Sequence, residues 1–222
     1  MQTHLSLEFG HETDLPEGHL DEIRTPPVLV ERFLAEYTDP GDRVFDPFAG
    51  YGTTLAVADD LDRVPYGLEY EPERVEWIRD RLDVPEHVQQ GDALSFDPES
   101  VPSCECVFTS PPFMEQEMET NPFENYAGES TYQEYLDDAQ RAFDRVADVL
   151  TPAGTLVVDV ANIKHDRRIT TLAWDLADRL SNSLSFEGET IVAWTGEGPA
   201  DNQGTYGYGY DHSYCLVFSQ SV

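Results

Sequence analysis

Two short stretches hold the residues best suited to chemistry. One is Ser110-Pro111-Pro112-Phe113, which follows the apolar run Cys104 to Thr109. A serine hydroxyl beside a backbone carbonyl offers two hydrogen-bond acceptors. The paired prolines stiffen the turn and fix where that carbonyl points. Phe113 adds a flat apolar face on which a ring can stack.

The other stretch is Asp46-Pro47-Phe48-Ala49-Gly50-Tyr51-Gly52-Thr53-Thr54. It lies between the apolar segments Arg43-Val44-Phe45 and Leu55-Ala56-Val57-Ala58. The order reads as strand, glycine turn, helix. Such a turn presents backbone N–H groups and a helix start to a ligand. Gly50 and Gly52 let the backbone approach closely because neither carries a Cβ. Thr54 stands near where a dinucleotide-binding turn would place its third glycine, which argues against a nicotinamide cofactor.

The elements that must hold these turns follow from periodicity. Thr25-Pro26-Pro27 precedes a predicted helix from Val28 to Tyr37, with Val30, Phe33, Leu34 and Tyr37 on one face. A first strand ends at Asp46, and a helix follows from Thr53 to Leu61. Val64 to Glu69 reads as a second strand, closing on Glu69 with Glu71 two residues on. Pro72 opens a helix to about Leu82. His87 to Gln90 is a short third strand ending at Gly91-Asp92, and Cys104 to Thr109 is the fourth. Met114 to Glu129 is a polar loop with five glutamates, long enough to serve as a lid or binding loop. Ser130 or Thr131 caps a long helix through a capping box. Thr155 to Val160 is an apolar fifth strand of the kind buried on both faces. Ile169, Leu172, Ala173, Leu176 and Leu180 mark another helix. Thr190 to Thr195 and Tyr214 to Ser219 are the last two strands and, lacking a helix between them, should pair antiparallel. Alternating strands and helices predict an α/β fold, a parallel sheet with helices on both faces. The N-terminal 24 residues carry no strong pattern.

Of the 222 residues, 44 are acidic and 13 basic, for a net charge of -31. The acids are spread through a periodic chain, so the charge describes the solvent more than the function. In molar salt the Debye length shrinks to about 3 Å, and an acidic surface with a single lysine, Lys164, suits a salt-adapted cytoplasmic protein. Cys104, Cys106 and Cys215 have no ligand-like spacing and read as buried thiols, with no metal site. Cys104 and Cys106 should share one strand face. No apolar run is long enough to span a membrane.

Together, the Asp-Pro-Phe-x-Gly-x-Gly-Thr-Thr and Ser-Pro-Pro-Phe turns resemble those of the S-adenosylmethionine-dependent amino-methyltransferases that act on nucleic-acid bases, the DNA N4-cytosine and N6-adenine enzymes. The resemblance runs from about residue 24 to 219. It implies a Rossmann-like methyltransferase fold with a mostly parallel seven-stranded sheet and an antiparallel last strand, in a single domain over 1–222. It also implies S-adenosylmethionine as cofactor. Asp46 would face its ammonium, Thr53 and Thr25 would suit its carboxylate, and Phe48, Gly50 and Gly52 would complete the turn. Glu69 would accept the ribose hydroxyls and Asp92 the adenine amino group. Ser110, Pro111, Pro112 and Phe113 would form the catalytic turn. In the family, serine at its first position is commoner in cytosine enzymes, which favours cytosine N4 over adenine N6.

For the polymer, the sole basic cluster is Lys164-His165-Asp166-Arg167-Arg168, and Tyr206-Gly207-Tyr208-Gly209-Tyr210 offers aromatic faces. Lys164, Arg167, Arg168 and Tyr208 are the candidate nucleic-acid contacts. DNA ranks ahead of RNA, whose enzymes usually show Asp or Asn before Pro-Pro. A non-catalytic partner subunit and a protein-amide methyltransferase rank lower, because both turns are intact and position 110 is serine. The sequence shows no separate target-recognition domain, which points to a specificity subunit or a homodimer as a source of selectivity.

Overall fold

In the computed structural model, residues 2–10, 24–165, 167–196 and 209–221 are described. Ten strands and five α-helices are assigned among them, in the order β1 (His4–Glu8), α1 (Pro27–Tyr37), β2 (Arg43–Asp46), α2 (Thr53–Asp60), β3 (Val64–Glu69), α3 (Pro72–Arg79), β4 (Val88–Gln90), β5 (Cys104–Thr109), α4 (Tyr132–Val149), β6 (Leu150–Val160), β7 (Ile163–His165), β8 (Arg168–Thr170), α5 (Leu172–Leu180), β9 (Leu184–Thr195) and β10 (His212–Gln220).

Eight strands form one sheet in the order β1-β9-β10-β6-β5-β2-β3-β4. β10 runs antiparallel to both β6 and β9, and the other pairings are parallel. From β2 the chain moves outward to β3 and β4, then returns to the other side of β2 with β5. That reversal between β2 and β5 is the switch point where a ligand crevice opens in such sheets.

Alternation along the central strands feeds two layers. Phe45, Val107, Leu156 and Val158 pack with α4 and α5 through Phe143, Val146, Leu176 and their neighbours. Val44, Cys106, Phe108 and Val157 pack with α1 and α2 through Leu29, Phe33 and Val57. Val75 and Ile78 of α3 join Leu55 of α2 and Val88 of β4.

Helix starts follow local chemistry. Pro27 opens α1 at a position where no N–H is needed. At α4, the Thr131 side chain accepts from the Glu134 amide while the Glu134 carboxylate accepts from the Thr131 amide, the expected capping box.

The sheet has eight strands, not seven. The extra edge strand, β1, comes from the N-terminal segment that lacked a strong pattern; its short alternation buries Leu5 in the α1 layer, and the following Phe9 meets Trp194. Cys104 and Cys106 do not share a face. The β5–β6 register shifts between them, so Cys104 joins the α4 layer and Cys106 the α1 layer. Gly154 sits at this irregularity, where a Cβ would lie 3.1 Å from the Cys104 carbonyl oxygen. All three cysteines are buried free thiols. Ile169 is not on a helix but on β8, and it is exposed, because β7 and β8 form a small separate hairpin. Among the described residues no helix is long and apolar enough to cross a membrane.

Candidate active site

At the carboxyl ends of β2, β3, β5 and β6 lies a cleft of ≈ 640 Å³. Each strand delivers a polar group to it: Asp46 closes β2, Glu69 closes β3, Ser110 follows β5, and Asp159 is the penultimate residue of β6.

The glycine turn forms one wall. Gly50 (φ +56°) and Gly52 (φ +85°) are in the left-handed region that glycine occupies without strain. Their parts differ. Gly50 lines the cleft, and its amide donates to Glu69 Oε2 at 2.8 Å. Gly52 is not among the lining residues; a Cβ there would lie 3.0 Å from the Ile78 side chain. Its missing side chain makes room for α3, not for a ligand. Thr53 begins α2 and lines the cleft, and no side chain caps that helix start.

Glu69 is almost wholly buried. Its second oxygen accepts from the Glu71 amide at 2.9 Å. Burial pushes its carboxyl up, opposed by the amides of Glu71 and Gly50 and by the positive charge of Arg74. The Tyr70 amide donates to the same carboxylate as well. Asp92 lines the cleft beyond β4, with one oxygen accepting from the Leu94 amide at 2.8 Å. Arg74 lies over the Tyr51 ring at 5.0 Å, and both line the same end.

Asp46 joins the two turns. Its Oδ1 accepts from the Thr109 hydroxyl at 2.6 Å and from the Phe48 amide at 3.0 Å. Burial pushes its pKa up to about 6, opposed by hydrogen bonds from Thr109, Thr54 and Phe48. Thr109 is the residue before Ser110, so the buried carboxylate fixes the entry to the Ser-Pro-Pro-Phe turn. The exit is held from α4, where the Tyr135 hydroxyl donates to the Pro112 carbonyl at 2.9 Å. Burial of that phenol raises its pKa. Between these holds, Ser110 is exposed to the cleft and its hydroxyl has no hydrogen-bond partner among the described residues. Pro111, Pro112 and the partly exposed Phe113 line the same space. Phe48 stands across from them and meets Phe123 at 5.7 Å.

Thr25 donates to Asp159 Oδ2 at 3.1 Å, and both line the cleft. Sequence reasoning missed Asp159, although a lone acid in the run Leu156-Val157-Val158-Asp159-Val160 was a usable signal. The loop after Phe113, read from the sequence as a lid or binding loop, contributes Pro122, Phe123, Asn125 and Tyr126 to the lining and is held by its own hydrogen bonds. Fully buried Asn121 donates to Asp138 of α4 at 2.7 Å, and its side-chain and backbone oxygens accept from the amides of Phe123, Glu124 and Tyr126. Asn125 and Tyr126 have φ of 54° and 57° and line the cleft. Two successive non-glycine residues in that region store strain beside a ligand site.

Lys164, Arg167 and Arg168 lie on or between β7 and β8, exposed and outside the cleft lining. Tyr208 lies outside the described residues. Gly209 packs on the hairpin, where a Cβ would come within 3.0 Å of the Lys164 Cβ.

Comparison with known proteins places this cleft in a lineage. A family model described as DNA methylase, of the N6/N4 methyltransferase type, matches residues 8–80 and 104–221, a span that includes both turns. The Type II methyltransferase M.BglII of Bacillus subtilis is 38% identical over 71 residues, 32% of this chain and 19% of that protein. The DNA adenine methyltransferase YhdJ of Escherichia coli (strain K12) is 42% identical over 62 residues, 28% of this chain and 21% of that protein. The matched stretches span about a fifth of the length of the first such relatives. Among solved structures, the glycopeptide N-methyltransferase MtfA complexed with (S)-adenosyl-L-homocysteine superposes with a TM-score of 0.60 at 14% identity, covering 90% of this chain and 92% of that one. At that identity the likeness concerns the fold. With the family model matched over most of its length, the chain belongs to the DNA methylase family.

Proposed function

We propose that the cleft binds S-adenosylmethionine and that the Ser110 turn presents to it the exocyclic amino group of a DNA base, cytosine N4 in preference to adenine N6. The observation that carries this reading is the junction of the two turns. The cofactor-side turn and the amine-binding turn share one cleft and are tied by the 2.6 Å bond between Thr109 and Asp46.

The residues present fit the cofactor. A ribose diol needs an acceptor, and the Glu69 carboxylate lies in the cleft, oriented by backbone amides. Asp92 offers an acceptor for an adenine amino group. Thr25, Thr53 and the uncapped start of α2 suit a carboxylate, and Asp46 and Asp159 give the ammonium an acidic surrounding. When bound, S-adenosylmethionine supplies a sulfonium-activated methyl group. The chain supplies position. Ser110 Oγ and the Pro111 carbonyl accept the two N–H bonds of the base amine and direct its lone pair into the cleft. Phe113 offers a face to a base swung out of its duplex, and Phe48 and Phe123 help keep the site dry. Serine at position 110 supports cytosine, as the sequence resemblance implies. The exposed hairpin carrying Lys164, Arg167 and Arg168 is the proposed phosphate contact, and the acidic surface is the proposed adaptation to concentrated salt.

The test is calorimetric titration with S-adenosylmethionine in molar salt, followed by transfer of labelled methyl groups to DNA and identification of the modified base. We expect cofactor binding and N4-methylcytosine. Ser110→Ala should keep cofactor affinity and lose at least about a hundredfold in transfer, the scale of one lost transition-state hydrogen bond. Absence of cofactor binding would overturn the reading, and N6-methyladenine would revise its base.

A further inference from the structure

The β7–β8 hairpin holds three of the chain's thirteen lysines and arginines within five residues, and one of them, Arg168, is met by an acidic side chain of this same chain. Three consecutive residues of the loop after Phe113 meet it. Glu115 Oε2 lies 3.0 Å from His165 Nδ1, the Gln116 amide donates to Thr170 Oγ1 at 3.1 Å, and Glu117 pairs with Arg168. His165 and Arg168 are about two-thirds exposed, with side-chain values of 67% and 69%. The pairs therefore sit at the surface, where water and salt weaken them and where exchange for another anion is easy.

The chemistry of these contacts identifies what else could fill them. A carboxylate and a phosphodiester ask the same of a guanidinium or an imidazole: short, charge-assisted bonds to anionic oxygen. Arg168, His165 and Thr170 share one face of the hairpin, Thr170 buried beneath the loop, while Lys164, paired with Ile169, lies on the other face. The described end of the Gly/Tyr-rich segment, Gly209, packs against Lys164. The hairpin as a whole therefore borders the Gly/Tyr-rich segment.

We propose that the β7–β8 hairpin is a phosphodiester-binding strip on which Glu115 and Glu117 stand in for phosphates, and that DNA binds by displacing them. The proposal rests on the reading of the cleft as a DNA-methylating site. It adds His165 and Thr170 to the contact surface and gives the acidic loop a role.

Fluorescence anisotropy with a labelled DNA duplex, across a range of potassium chloride, tests this. Glu115→Gln with Glu117→Gln should tighten binding about three- to tenfold at moderate salt. Glu124→Gln with Glu129→Gln makes the same change of charge elsewhere on the loop and should give a much smaller gain. Arg168→Gln should weaken binding and reduce the slope of log affinity against log salt by about one. In that background Glu117→Gln should give no further gain. Equal gains from the two glutamate pairs, or a gain at Glu117 that persists without Arg168, would overturn the stand-in role while leaving the DNA reading intact. Binding to an RNA duplex in place of DNA, with the same glutamate dependence, would uphold the strip and overturn DNA as its polymer. Wild-type protein that binds neither polymer at any salt overturns both.

Discussion

The floor of the cleft and its rim are held by opposite means. On the floor, Asp46, Thr109, Tyr135 and Glu69 are buried and joined by direct hydrogen bonds that tie sheet, helix and both turns together. At the rim, Glu117 and Arg168 meet with side chains 60% and 69% exposed. Buried bonds are hardly screened by salt, whereas exposed pairs weaken as salt rises. The floor therefore keeps its geometry as salt changes, and the rim is free to exchange partners. The proposed methyl transfer calls for fixed acceptors, and the proposed strip for a surface that can let go of its own chain to take up a polymer.

The largest test of the floor is Asp46→Asn. The Asp46 pKa is pushed up from 3.8 to about 6, chiefly by burial. The folded chain thus binds this proton more tightly than the unfolded one. Its contribution to stability therefore falls as pH rises from about 4 to 6, and above 6 the buried charge costs on the order of 3 kcal/mol. Asparagine keeps an oxygen for Thr109 without the charge. Urea unfolding at pH 4 and pH 7 should show wild type losing on the order of 3 kcal/mol relative to the variant between the two. Identical pH dependence in both proteins would break the picture of Asp46 as a buried charged staple.

Next in size is Tyr135→Phe, which removes one hydroxyl and strands the Pro112 carbonyl. Loss of a buried partner costs about 1–2 kcal/mol of stability. The sharper readout is catalytic. A turn released at its exit lets the Ser110 and Pro111 acceptors drift, so kcat should fall about tenfold while cofactor affinity is unchanged. A variant with lower stability and full kcat would show that Tyr135 supports the fold alone.

The same division explains what could be read from the chain. Gly50, Gly52 and Pro111-Pro112 are legible because each meets a local backbone demand at a strand end, and local demands leave local signatures. The capping box at Thr131 and Glu134 is legible for the same reason. Tyr135 leaves no such signature, since nothing local reveals that its hydroxyl reaches a carbonyl 23 residues away. Thr25 and Asp159 are 134 residues apart, and only the sheet order brings them together. The part of Gly52 was misjudged because its neighbour, Ile78, belongs to a later helix. The β7–β8 hairpin was hidden by its charges: a basic run reads as a solvated surface, and Ile169 was counted toward the helix that follows. Where a contact joins distant segments, the sequence supplies the residue type and the fold supplies its use.

The smallest predicted effect is at the rim, and its smallness is the point. An exposed ion pair contributes between about 0 and 1 kcal/mol, so Glu115→Gln with Glu117→Gln should shift the melting temperature by no more than about 2–3 °C at low salt. In molar salt, where the Debye length is about 3 Å, the shift should vanish. Asp46→Asn should keep its effect under both conditions, because no counterion reaches a carboxylate that is 4% exposed. Thermal melts of both variants at two salt concentrations therefore separate the regions directly. A salt-independent loss of several degrees in the glutamate variant would mean that the loop and hairpin belong to the rigid floor and cannot trade their partners for phosphate.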